Sequence, residues 1–131
     1  MTRLVGPVYV AHPYSAPTDE GRARNIERAA LLSSAVNKLG AATISPLQES
    51  RGRESALPED LWCEHGIVTL RVCKAIVLPR DYHVSSGCVR EFCEARRIGM
   101  PVLHADWWEF GGVWYLGLDL FAWVKREQEA G

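Results

Sequence analysis

The chain has 131 residues, of which 47% are hydrophobic and 24% charged, with a formal net charge of -1. This length suits one domain spanning residues 1–131, and the balance is that of ordinary globular proteins, which excludes disordered and fibrous classes. No surplus of positive charge is available to displace counterions from a DNA or RNA backbone, and no apolar run approaches the roughly 18 to 20 residues that cross a bilayer.

Strand and helix patterns alternate along the chain, the mark of a parallel sheet with crossover helices. A strand over residues 8–11 leads into the turn-rich HPYSAP segment, and a helix follows over 19–39, with Ile26, Ala29, Leu32, Val36 and Leu39 at helical spacing and Gly40 as its stop. A second strand, 42–45, runs into a polar excursion at 48–58 that is long enough to act as a lid. A helix over 59–72 follows, with Leu61, Val68 and Val72 on one side; Gly66 weakens it by about 1 kcal/mol relative to Ala. The run 75–78 is apolar without alternation, which suits a central strand covered on both faces. The loop RDYHVSSG, a helix over 88–98 ended by Gly99 and a strand over 101–105 complete the repeat. The segment 106–131 holds Trp107, Trp108, Trp114 and Trp123 and ends in a helix over 118–127 that closes the sheet or a subunit contact. The expected fold is an α/β Rossmann- or flavodoxin-like parallel sheet of four to five strands with helices on both faces.

The N-terminal residues run straight into a strand pattern rather than a cleavable leader. A cytoplasmic protein with no membrane or nucleic-acid partner is therefore expected. Cys63, Cys73, Cys88 and Cys93 show no CxxC spacing and are read as reduced core thiols. Cys88 and Cys93 point to different faces of their helix, so no metal site is expected, and no cofactor is called for.

In open parallel sheets, ligands bind beyond the carboxyl ends of the strands, where helix N-termini offer free N–H groups. Two loops qualify: residues 12–17, with His12 and Tyr14, and residues 80–87, where Ser85, Ser86 and Gly87 can cap a helix and present donors to a phosphate. Simple capping by serine explains the latter equally well. Glu91 lies one turn into that helix and its side chain leans back toward the opening, although helix charge periodicity alone would leave it a solvent-facing residue.

VYVAHPYS, the helix containing Asn25, the strand AIVLP, and then Ser85, Gly87 and Glu91 as S-x-G-x-x-x-E resemble, in that order, the nucleoside 2-deoxyribosyltransferase-like superfamily and its nucleotide N-glycosidase branch. The resemblance covers about residues 7–105 and leaves out the Trp-rich tail. It implies that Glu91 is the nucleophile attacking the anomeric carbon of a (deoxy)ribose and that Tyr9 steadies its carboxylate. It also implies that Ser85 favours a 5′-phosphate, since transferases carry an acidic residue there. Arg80 or Arg22 could add a counter-charge. The small-molecule partner is then a nucleotide, and a homodimer or higher homo-oligomer is expected. One departure stands out: the family aspartate that assists protonation of the leaving base falls on Gly66. His83 and His65 are the candidate substitutes, His83 having the more suitable ordinary pKa. The resulting expectation is hydrolysis of a nucleoside 5′-monophosphate. Sugar transfer to another base, a binding module without turnover, or an NAD-cleaving domain are the alternatives.

Overall fold

A computed structural model describes residues 4–46 and 59–131, so the excursion expected at 48–58 lies outside the described residues. The elements in chain order are β1 (Val5–Val10), α1 (Asp19–Leu39), β2 (Ala41–Ile44), α2 (Glu59–Leu70), β3 (Ala75–Pro79), a 3-10 turn (Tyr82–Val84), α3 (Ser86–Arg97), β4 (Val102–Trp108), β5 (Val113–Leu116) and α4 (Leu118–Ala130). The sheet order is β2-β1-β3-β4-β5. The pairs β1–β2, β1–β3 and β3–β4 are parallel, and β4–β5 is antiparallel. This is an α/β fold of the flavodoxin-like order.

Alternation along the strands divides the core into two layers. Val8, Val10, Ala75 and Val77 pack with Leu32 and Val36 of α1 and with Leu120 and Trp123 of α4. Tyr9, Ala11, Ile76 and Leu78 face the opposite way, onto Leu70 of α2 and Cys88 and Ala95 of α3. Every residue of β3 is buried, as an unalternating apolar strand requires. Thr18 caps α1 by accepting from the Gly21 N–H, and Gly40, at φ +112°, closes it with its N–H on the Asn37 and Val36 carbonyls.

Three expectations need correction. Leu61, Val68 and Val72 do share a side of the second helical segment, but it is the outward one, at 53%, 52% and 68% exposure. The inward side is Gly66, Ile67 and Leu70, because the small residue lets α2 approach the sheet closely. The tail supplies a strand as well as a helix: β4 runs on to Trp108 and turns back as β5. Trp123 is buried in the core while Trp108 is 46% exposed. The reading of all four cysteines as core thiols also fails, because only Cys73 and Cys88 are buried; Cys63 is half-buried and Cys93 exposed. Among the described residues, no helix is long and apolar enough to cross a membrane.

Candidate functional site

β1 lies between β2 and β3, so the chain leaves β1 toward one side of the sheet and β3 toward the other. A crevice opens there beyond the carboxyl ends of the strands. A cavity of about 530 Å³ occupies it, lined by Tyr9, His12, Tyr14, Ser85, Ser86, Gly87 and Glu91 among others. Glu91, Tyr9 and the expected binding residues thus come together in one place. The loop bearing His12 and Tyr14 is pinned to α1, where Asn25 Nδ2 donates to the Tyr14 carbonyl at 2.9 Å.

Strand alternation turns Tyr9 toward α3, and its hydroxyl donates a hydrogen bond to Glu91 Oε2. Glu91 sits on the second turn of α3 and leans back toward the helix start. Ser85 is the N-cap: its Oγ accepts from the Cys88 N–H at 3.2 Å and so keeps the hydroxyl proton free to donate. The Ser86 and Gly87 N–H groups, at the first turn, have no intrahelical acceptor. Carboxylate and anion-binding donors therefore share one short helix segment.

α2 closes the site from above. A Cβ on Gly66 would stand 3.0 Å from Glu91 Oε2 and 3.0 Å from the Tyr9 hydroxyl, so glycine is what admits the pair at this helix contact. Arg71, just past the end of α2, reaches Glu94 of α3 at 2.7 Å and ties the end of one helix to the other. Arg97 and Arg71 together hold the Glu94 carboxyl down at about 2.

Burial pushes the Glu91 carboxyl up to about 7, opposed by the hydrogen bond from Tyr9. Burial and the Glu91 charge push the Tyr9 phenol far above its ordinary value, so it stays a donor. Burial lifts Cys88 to about 12, which keeps that neighbour an inert thiol. His12 is lowered by burial and is neutral at pH 7. Its Nδ1 lies 2.8 Å from the Pro13 carbonyl, which assigns the proton to Nδ1 and leaves Nε2 an acceptor.

The two histidines expected as proton donors are elsewhere. His83 is exposed in the 3-10 turn with its ring edge-on to Tyr82, and His65 is exposed on α2; neither lines the cavity. Arg22 is turned to Asp19 and the Ala16 carbonyl, and Arg80 to Asp106 at 2.9 Å. Among the described residues, the arginine that lines the cavity is instead Arg90, beside Glu91 in sequence, and Cys63 joins it from one turn before Gly66 on α2. Pro46, just past β2, also lines the cavity, a position that the carboxyl-end rule already marks. Among the described residues, no group of three or more His, Cys, Asp or Glu side chains could hold a metal ion.

The geometry can seat an anion on the start of α3 and set a hydrogen-bonded carboxylate against an electrophilic carbon nearby. Comparison of the chain with family models, with curated proteins and with solved structures finds no match.

Proposed function

We propose that the chain is a nucleoside 5′-monophosphate N-glycosidase. The observation that carries this is the Tyr9–Glu91 pair, set in one cavity with the open N-terminus of α3. The order of its motifs, which resembles the nucleoside 2-deoxyribosyltransferase-like superfamily, supports the same chemistry. The 5′-phosphate rests on the Ser85 hydroxyl and the Ser86 and Gly87 N–H groups. A Glu91 oxygen bonds to C1′ as the C1′–N bond breaks, and the electron pair leaves with the base. Water then attacks C1′, breaks the sugar ester and frees Glu91. Its hydroxyl completes the sugar phosphate and its proton balances the one taken up by the base. A free 5′-hydroxyl acceptor site would instead favour transfer, but Ser85 carries no repelling charge against a phosphate.

Gly66 favours a second reading, a nucleotide-binding module with little or no turnover. Among the described residues there is no acid at that place and neither His65 nor His83 is in the lining; loss of general-acid help removes about 10² to 10⁴ in rate for a base that leaves as an anion. Chromatography of free base after incubation with a panel of ribo- and deoxynucleoside monophosphates tests the function. Release that is lost in Glu91→Gln is the expected result. Thermal stabilisation by a nucleotide without release would assign the binding module. The same function carries an expectation of self-association, and sedimentation as a monomer at micromolar concentration would count against it.

A further inference from the structure

A second cavity, of about 590 Å³, adjoins the first and shares with it the wall formed by His12, Pro13, Ser15 and Val84. Each cavity is the size of a pocket for a small ligand, about 300 to 1,000 Å³. The second lies beyond the ends of β3 and β4, on the side of that wall away from Glu91. Two indoles, Trp107 and Trp114, face it with their centroids 5.3 Å apart. Trp107 is fixed by its Nε1–H on Glu109 at 2.8 Å and by the Arg28 guanidinium 4.9 Å from its ring. Trp114 is fixed by its Nε1–H on the Arg28 carbonyl at 2.8 Å.

The charges here are mixed. Arg28 is paired with Glu109 and Arg80 with Asp106, and Asp81 adds a further carboxylate. Such a set does not suit a bare polyanion. Indole faces suit a planar base, and carboxylates accept from ribose hydroxyls. A nucleoside fits this cavity, and a diphosphate across the shared wall would join it to the sugar at Glu91.

The site around Gly66 adds an independent constraint. A base that leaves as an anion needs a proton, and Gly66 has no side chain to deliver one. A base bonded to C1′ through a cationic ring nitrogen leaves neutral and needs none.

We propose that the substrate class is a dinucleotide joined 5′ to 5′ through a diphosphate, its reacting base a pyridinium held at Glu91 and its second nucleoside held between Trp107 and the Asp81 and Asp106 carboxylates. This rests on the glycosidase chemistry proposed above and changes its substrate from a mononucleotide to a dinucleotide. A Glu91 oxygen bonds to C1′, the C1′–N bond breaks, and its electron pair neutralises the pyridinium nitrogen. Water then displaces Glu91 from C1′ and its spare proton passes to solvent, so one proton appears per base released.

The test uses NAD as probe, compared with nicotinamide mononucleotide and with AMP, on the full chain and on Trp107→Ala and Arg80→Ala. Arg80 is an exposed side chain whose removal leaves the core untouched, which guards against loss of fold in the tryptophan variant. Nicotinamide release with kcat/KM for NAD at least tenfold above that for the mononucleotide is expected, with little base from AMP. Each variant should lower NAD toward the mononucleotide level and leave the mononucleotide rate in place. Equal use of NAD and the mononucleotide, or release from AMP as fast as from NAD, overturns the dinucleotide proposal and leaves the glycosidase standing. No base released from these three or from the monophosphate panel removes both.

Discussion

In the proposed reaction Glu91 must be ionised to attack C1′, yet burial pushes its carboxyl up to about 7, so a large share is protonated at neutral pH. The Tyr9 hydroxyl is the group that opposes this. A hydrogen bond to a charged partner is worth about 1.5 to 3 kcal/mol, which corresponds to about one to two pH units. Tyr9→Phe is therefore expected to move the acid limb of the pH profile of kcat/KM upward by that amount. Activity would fall most at pH 6 to 7 and recover above pH 9. An unshifted limb would show that the Tyr9 hydroxyl does not favour the ionised form of Glu91. Tyr9 and Glu91 lie 82 positions apart, and their meeting was legible only through the order of motifs; charge periodicity left Glu91 facing solvent. The site also holds something that the sequence does not display. Gly66 reads there as a weak spot in a helix, whereas in space its missing Cβ is the clearance for both polar atoms.

Under the proposed function α3 carries two duties at its first turn, capping and ligand binding, and one substitution separates them. Aspartate caps a helix as well as serine does and is favoured by the helix dipole. It lacks the hydroxyl proton, however, and its charge repels a phosphate. Ser85→Asp is expected to leave the melting temperature within a degree or two and to weaken nucleoside monophosphate binding tenfold or more, with binding of the free nucleoside retained. Calorimetric titration with both ligands checks this; equal weakening of the two would mean that the phosphate sits elsewhere. The helices themselves were legible from apolar spacing and stops, as in α1, which runs from Asp19 to Leu39 as the pattern indicates. The outward side of α2 was not, because Leu61, Val68 and Val72 repeat at helical spacing as regularly as a core stripe would. Which side faces in was decided by the tertiary contact at Gly66. β5 was missed for a related reason: its exposed and half-buried residues alternate on an edge strand reached by a turn at Gly111 and Gly112, inside a stretch whose tryptophans suggest a single cluster.

At the scale of the whole molecule, the sheet order places Tyr9 on an interior strand and brings the start of α3 beside it, so the fold sets a carboxylate against an apolar layer. That arrangement weakens the fold to make the site. The folded Glu91 binds its proton up to about 7 while its ordinary value is 4.5, so between these pH values the folded state holds more protons than the unfolded chain. Stability from this group then falls as pH rises from about 4.5 to 7 and is level above that. At about 1.4 kcal/mol per unit, the loss is on the order of 3 kcal/mol. Glu91→Gln keeps the shape and an acceptor for Tyr9 but removes the charge. The variant is expected to melt several degrees above the parent at pH 8 and close to it at pH 4.5. Melting curves for the two proteins that run parallel across this range would show that the Glu91 carboxylate is far better solvated than its burial implies. They would also remove the basis for an acid limb near pH 7 in the proposed reaction.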